Sequence, residues 1–525
     1  MKIKFLCAAF FVLIIFSGCG TGSRTLESSG TITVNYDDTR QIIDGFGGSN
    51  AWTRLPNDPY TAQRLVRLLY SRTDGMGFTI LRNRIPFRER LAGDNTPSHN
   101  DGFLVRNNDN TYSYTVNEDG VKTFNLDWNS WDISSTRSLI RQIQNLGENG
   151  PERLVIMSAP WTPPNNRVTR WKEDVTNVSS RLNFAIDWSK PDIWGRLKRA
   201  HYNDYADLLG DYVKNFEPMM GHPLAILSVQ NEPNWKADWE SAYWSGTDLR
   251  DFIKIIAQRF PKKNITFSGD IYNSARLGNT IGIMMPEFEN FNINFNEMIK
   301  PSLDDPESER IISHIALHQY NAPNDPSSRA GSMEFPDIIA SGKRFWQTEV
   351  SGSGPHLPSG SGISNALFYA RMIHWNMTLA QTNAFLFWWL WTNNRENDFP
   401  GALIRVDDDL IIAADRLYAM GQFSRFIRPG WRRIGISTPR ITGLYSSAYK
   451  NPDTDEIAIV IINERITSSS VTLELQGAEF TNLEIWRTSE KEKLKQSGRQ
   501  RVSGNISDVH LQERSITTFY GRVKK

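Results

Sequence analysis

Two glutamates stand at corresponding places in this chain: Glu232 in "SVQNEPN", just past the apolar run "AILSVQ", and Glu349 in "WQTEV", just past "KRFWQT". Two carboxyl groups brought face to face suit acetal hydrolysis, one protonated to assist the leaving oxygen and one ionised against an oxocarbenium-like carbon. Asn231 precedes Glu232 and offers an amide donor for a sugar 2-hydroxyl. Arg82 and Arg84 follow another apolar run. Arg82 beside Glu349 would hold that carboxylate ionised, while burial of Glu232 would raise its pKa, so the two roles separate. Past the other runs lie Trp161, Asp270, His318, Tyr320, Trp388, Trp389 and Trp391. Tryptophans at strand ends either present flat faces to sugar rings or plug a core. His318 equally suits orienting a backbone, and Asp270 pairing with an arginine. A lone glutamate at a strand end is ordinarily a cap or a solvated charge; the coincidence of all these residues at equivalent positions favours chemistry.

Other chemistries find less support. Eight histidines without an HExxH or paired spacing give no metal-hydrolase pattern, so no metal is expected. "GGSNA" (Gly47 to Ala51) faintly resembles a serine elbow, but it comes early and no Asp and His partners are identifiable. No motif calls for a cofactor. With 59 basic against 58 acidic residues, no global field recruits nucleic acid.

The elements that must position these residues are eight short apolar runs: "QIIDGF", "GFTILR", "RLVIMSAP", "AILSVQ", "NITFSG", "HIALHQ", "KRFWQT" and "AFLFWW". Amphipathic helical stretches lie between most of them. Tyr202 to Phe216 and Thr247 to Phe260 are the clearest, the second opening on a threonine suited to capping. Buried strands alternating with helices predict a parallel sheet covered on both faces, and eight units predict a closed barrel. A doubly wound open sheet is the alternative, but "GFGGSN" lacks the last glycine of a dinucleotide fingerprint. From Tyr445 to Tyr520 the texture changes to short alternating runs with turn residues between them, an antiparallel β-domain. "TITVNY" (Thr31 to Tyr36) alternates in the same way and is expected to join it. The long polar segments Arg88 to Gly120 and Asn165 to Ala200 follow strands and are expected on the functional face, and "SGSGPHLPSGSG" after Glu349 reads as a loop over a cleft.

The N-terminus reads as an address. Lys2 and Lys4 precede an apolar run from Phe5 to Phe16, too short to span a bilayer, and "FSGCG" leads into Cys19. This is similar to a bacterial lipoprotein signal cleaved before Cys19; a cleaved signal without lipid is the alternative. The two cysteines are Cys7 and Cys19, so the mature chain would keep no thiol except the lipidated one. Export to the bacterial cell envelope with a lipid anchor, at the outer membrane or cell surface, is therefore expected.

"IDGFGGSNAW", "GMGFTILRNRI", "MSAPWTPP", "SVQNEPN", "LHQYN", "WQTEV", "FWWLW" and "FSRFIRPGWRRI" resemble, in this order, the motifs of glycoside hydrolase family 30, above all its xylanase branch. The resemblance implies a (β/α)8 TIM barrel with an antiparallel β-sandwich side domain formed by the C-terminus plus an N-terminal strand. It implies a retaining mechanism with Glu232 as acid/base and Glu349 as nucleophile, roughly 5 Å apart. It places Arg82, Trp161, Asn231 and Tyr320 in the catalytic subsite; Trp388 and Trp389 are expected to bind substrate, and Trp235, His318, Trp391 and Arg395 are further candidates. The expected domains are a signal peptide over 1–18, a tether over 19–30, a strand over 31–40 joining the side domain, a barrel over 41–428 and a sandwich over 429–525. The expected function is endo-hydrolysis of β-1,4-xylan by a monomer. β-1,6-Glucan or β-1,6-galactan hydrolysis and a non-catalytic carbohydrate-binding lipoprotein are the alternatives. The chain departs from the branch where an arginine that binds a glucuronate substituent is expected: Thr392 and Asn393 stand there, with Arg395 further on, and Ser351 and Gly352 replace an aromatic pair after the nucleophile.

Overall fold

The computed structural model describes residues 28–525 apart from 87–88, 92–102, 110–111, 165–171, 174–194, 236, 238–239, 272–278, 321–332, 353–359, 394–400 and 503. Eight parallel strands close into a barrel: β2 (Gly45–Ser49), β3 (Ile80–Ile85), β4 (Val155–Pro160), β5 (Ile226–Ser228), β6 (Thr280–Phe288), β7 (Ile312–His318), β8 (Arg344–Glu349) and β9 (Ala384–Thr392); β1 is a side-domain strand described below. Closure is made by β9, which pairs with β8 on one side and β2 on the other. Among the described residues, six long helices cover the outside: α1 (Pro59–Tyr70), α2 (Trp131–Gln144), α3 (Tyr202–Met220), α4 (Gly246–Arg259), α5 (Ile363–Trp375) and α6 (Asp415–Ser424). Shorter helices follow β6 and β7.

Local chemistry sets the helix starts. α1 begins with Pro59 behind Asp58, whose carboxylate accepts from the Thr61 N–H at 2.7 Å. The cap of α4 is Ser245, in a reciprocal capping box with Asp248, so the threonine expected to cap, Thr247, sits inside the first turn. The glycines of "GFGG" form a strand rather than a phosphate loop. A Cβ on Gly47 would lie 1.9 Å from the Ile80 carbonyl oxygen, so β2 can approach β3 only without one.

The strand expected in "NITFSG" is a correction. Only Thr266 and Phe267 are extended there, paired with the first residues of β6 outside the barrel; the fifth barrel strand is "TIGIMMPEF". Asp270, placed at a strand end by that reading, is an exposed residue away from the functional face.

The side domain is one nine-stranded sheet built from β1 (Ser28–Ile42), β10 (Arg432–Ser437), β11 (Leu444–Lys450), β12 (Glu456–Asn463), β13 (Ser469–Gln476), β14 (Glu479–Thr488), β15 (Lys495–Gln500), β16 (Ile506–Leu511) and β17 (Ser515–Lys524). Its order is β15-β14-β17-β12-β11-β10-β1-β13-β16. β1 does join the C-terminal sheet, antiparallel to β10 and parallel to β13, so the domain is not wholly antiparallel. β12 is apolar on both faces. Ile457, Ile459 and Ile461 enter the side-domain core, whereas Ala458, Val460 and Ile462 pack with barrel residues. The hairpin of Tyr114–Val116 and Lys122–Phe124 lies against the barrel's outer helices: Asp207 and Asp211 of α3 accept from the Lys122 and Phe124 N–H groups at 2.7 and 2.8 Å.

Candidate active site

Strand geometry gathers the charged residues. Arg82, on β3, is fully buried and its guanidinium serves three acceptors: Nε donates to Glu287 Oε1 at 3.0 Å, Nη1 to Glu349 Oε2 at 2.8 Å and Nη2 to Asn231 Oδ1 at 2.5 Å. These partners come from the ends of β6 and β8 and the turn after β5. The guanidinium carbon lies 4.7 Å from the Trp161 ring centre and 5.7 Å from that of Trp388. Glu349 is held on both oxygens, since the Tyr320 hydroxyl donates to Oε1 at 2.7 Å.

His318 ends β7 and bridges the carboxylates. Its Nδ1 lies 2.9 Å from Glu232 Oε1, and Nε2 lies 3.6 Å from Glu287 Oε1 and 3.8 Å from Glu349 Oε2. Burial opposes its charge, but Glu349, Glu232 and Glu287 overcome that and hold the imidazolium up to about 10. The nearest ligand atoms of Glu232, His318 and Glu349 all lie within 4.8 Å of one another. That spacing also suits a metal ion, but an imidazolium, with Nδ1 hydrogen-bonded to Glu232 and Nε2 facing two more carboxylates, has no lone pair to offer one.

Two cations, Arg82 and His318, thus face three carboxylates, Glu232, Glu287 and Glu349. Burial disfavours the uncompensated charge, and the group favours taking up one proton. Glu287 does not hold it: burial pushes its carboxyl up, but Arg82 and His318 outweigh this and hold it at about 2. The Glu349 carboxyl is raised, by burial and by Glu232, against the pull of His318 and Arg82. Glu232 and Glu349 are both buried, so burial does not separate them as the sequence reading expects. Their donors differ instead: Glu349 accepts from Arg82 and Tyr320, Glu232 from His318.

The backbone is unusual at the same places. Glu232 and Glu287 have φ of 46° and 53°, in the left-handed region that non-glycine residues rarely adopt. The Glu232 N–H donates to the Glu287 carbonyl at 2.9 Å, and its own carbonyl accepts from the Trp235 N–H at 3.0 Å. Gln230 anchors the turn from below, donating to the Trp161 carbonyl at 2.6 Å and accepting from the Trp244 indole at 3.1 Å.

Aromatic rings form one wall. Trp161 and Trp388 are buried and pack with half-buried Trp52 and Trp389. Trp389 stacks on Trp388 at 5.3 Å and donates its indole N–H to the Ala51 carbonyl. Trp391 is buried and donates to the Arg54 carbonyl, and Trp235 is half-buried beside Glu232. Arg84 is buried between Asp132 and Glu240, with its guanidinium over Trp52 at 5.1 Å. Arg395 and Cys19 lie outside the described residues.

Sequence reading missed Glu287, Glu289 and Trp52. The first two follow "TIGIMMP", an apolar run absent from the eight read as strands; Trp52 stands just past the first strand, where the same rule of reading would have found it.

No family model matches the chain. It is 25% identical over 504 residues to the glucuronoxylanase XynC of Bacillus subtilis, covering 95% of this chain and 94% of the relative. A GH30 endoxylanase from Clostridium papyrosolvens superposes with a TM-score of 0.66 at 23% identity, over 94% of this chain and all of that one. An endo-β-1,6-glucanase superposes with a TM-score of 0.63 at 18% identity, over 94% of each chain. Taken with the closed barrel and its β side domain, these likenesses make the chain a glycoside hydrolase similar to those of family 30, on the side of its xylanase branch.

Proposed function

We propose that the chain is a retaining, endo-acting hydrolase of the β-1,4-xylan backbone. The observation that carries the mechanism is the approach of Glu232 and Glu349 oxygens to within 4.8 Å. That gap suits direct attack by one carboxylate on the anomeric carbon; inverting pairs stand roughly 6.5–9.5 Å apart to admit a water. Glu349 forms the bond to the anomeric carbon as the glycosidic bond breaks, and Glu232 gives its proton to the departing oxygen. Water then attacks the same carbon, Glu232 takes a proton from it, and Glu349 is released. Arg82 fixes Asn231 through Oδ1, which leaves the amide nitrogen to donate to the sugar 2-hydroxyl. Trp161 and Trp388 with their half-buried neighbours offer ring faces to the sugar.

Xylan is supported by the full-length similarity to glucuronoxylanase XynC. Thr392 and Asn393, in place of an arginine, support a backbone cut that does not require a glucuronate branch. The second reading, β-1,6-glucan, is supported by the likeness to an endo-β-1,6-glucanase. Product analysis on xylan with and without glucuronate branches, β-1,6-glucan and β-1,6-galactan separates them. Release of β-anomeric xylo-oligosaccharides, seen by NMR before mutarotation, is the expected result; α-anomers, or turnover of the 1,6-linked glycans alone, would overturn it. Glu349→Gln abolishes turnover while the fold is kept, and a wild-type rate there is incompatible with the nucleophile assignment. The protein acts as a monomer held to the cell envelope through lipid on Cys19; Cys19→Ser is expected to move it from the membrane to the soluble fraction.

A further inference from the structure

Glu287 has neither chemical role in the double displacement, yet both proposed catalytic groups are tied to it. β6 carries a bulge at this residue: Pro286 stands opposite Ala316 and Phe288 opposite Leu317, which leaves Glu287 as the extra residue, with φ of 53°. Glycine fits such a bulge without strain; a glutamate persists there only because its contacts over-determine it. The side chain is fully buried, and its Oε1 accepts from Arg82 Nε at 3.0 Å and faces His318 Nε2 at 3.6 Å. Each of those neighbours turns its other nitrogens to the proposed machinery. Arg82 donates Nη1 to Glu349 and Nη2 to Asn231, and His318 Nδ1 lies 2.9 Å from Glu232 Oε1. The backbone adds a third link, since the Glu287 carbonyl accepts from the Glu232 N–H at 2.9 Å. Two residues further on, Glu289 docks the same turn by accepting from the Asn234 amide, and burial pushes its carboxyl up to about 7.

We infer that Glu287 is a positioning residue that sets the separation and aim of Glu232 and Glu349. Through Arg82 it places the nucleophile and the Asn231 amide; through His318 and its own carbonyl it places the acid/base. This rests on the reading of Glu232 and Glu349 as the catalytic pair. The lever is the guanidinium, a rigid planar fork: fixing Nε fixes the directions of Nη1 and Nη2 as well. Glu287 is walled off from solvent and touches no sugar, so its effect falls on kcat rather than on KM.

The test separates reach from charge, with kcat and KM on an aryl β-xylobioside measured at each variant's pH optimum after denaturant unfolding has shown that the variant folds. Glu287→Asp keeps the charge but ends one methylene short of Arg82. Its kcat falls roughly 100-fold, the scale of a 1 Å misplacement, with KM nearly unchanged. Glu287→Gln keeps the reach but holds Arg82 by a weaker neutral bond, and loses roughly tenfold. Combined with Asn231→Ala, neither loss multiplies, because Asn231 is already misaimed once Arg82 has moved. The cycle can be read on either variant, so an unfolded Glu287→Asp leaves Glu287→Gln to decide. Wild-type kcat in a folded variant, a larger loss in Glu287→Gln than in Glu287→Asp, or losses that multiply fully with Asn231→Ala overturn the proposal. Failure of the underlying reading looks different: Glu349→Gln would then turn over at the parent's rate.

Discussion

The Tyr320 hydroxyl holds Oε1 of Glu349 at 2.7 Å, while Arg82 holds Oε2 at 2.8 Å. The two donors come from β3 and from the end of β7, so the carboxylate's plane is fixed by separate elements. Tyr320→Phe removes one donor and adds nothing. A hydrogen bond to a charged group is worth about 1.5–3 kcal/mol, so kcat should fall roughly 10- to 100-fold with KM nearly unchanged. Steady-state kinetics on an aryl glycoside check this; an unaltered kcat would mean that Oε1 is not the attacking oxygen or needs no alignment.

Removing the other donor disturbs more. Arg82→Gln strips Glu287 and Glu349 of their shared cation, and breaking a buried ion pair costs about 3–5 kcal/mol. Glu287 is held well below its unfolded value, so its contribution to stability is fully present above about pH 4.5 and fades as pH falls toward 2. The destabilisation, read by denaturant unfolding, should therefore shrink below pH 4.5. Activity should respond too. The guanidinium lowers the Glu349 pKa, so its loss moves the acid limb of kcat/KM to higher pH.

Glu232→Ala should discriminate between leaving groups. General acid catalysis contributes about 10²- to 10⁴-fold, so kcat/KM should fall by that much on xylan and far less on a dinitrophenyl glycoside. If Glu232 is the acid/base, azide should restore turnover on the activated substrate by replacing the water it would activate. Equal losses on both substrates would point to a collapsed site rather than a missing acid.

Glu289 carries a stability consequence of opposite sign to that of Glu287. Its carboxyl is raised to about 7, so in the folded chain it resists ionisation that the unfolded chain allows. The penalty is absent below about pH 4.5, grows as pH rises and is complete above 7. Glu289→Gln should be more stable than the parent by about 1–2 kcal/mol at pH 8, with the gain gone at pH 4; the figure allows for partial exposure. A gain independent of pH would show that packing, not charge, is responsible.

The sequence made Glu232 and Glu349 legible because each stands directly after an uninterrupted apolar run, and β1 because "TITVNY" alternates. Glu287 was hidden because "NITFSG" was read as the fifth strand and the neighbouring run "TIGIMMPEF" was not read as a strand at all; periodicity alone does not separate the two. The charge balance was out of reach for a different reason. His318 lies 86 residues from Glu232, and nothing local to either announces that they meet. The capping error at α4 was local: Ser245 and Thr247 both suit a cap, and the Asp248 partner decides for Ser245.

β12 bears on the order in which the protein assembles. Its alternate residues belong to two cores, and it pairs with β17, some 60 residues further on. β1 waits for β10 and β13, some 400 residues later, before both its edges are paired. Neither core closes on residues near one another in sequence, so the two should form late and together, the slow course expected where pairing is non-local. Cutting β17 out removes an interior strand of the sheet rather than a fringe.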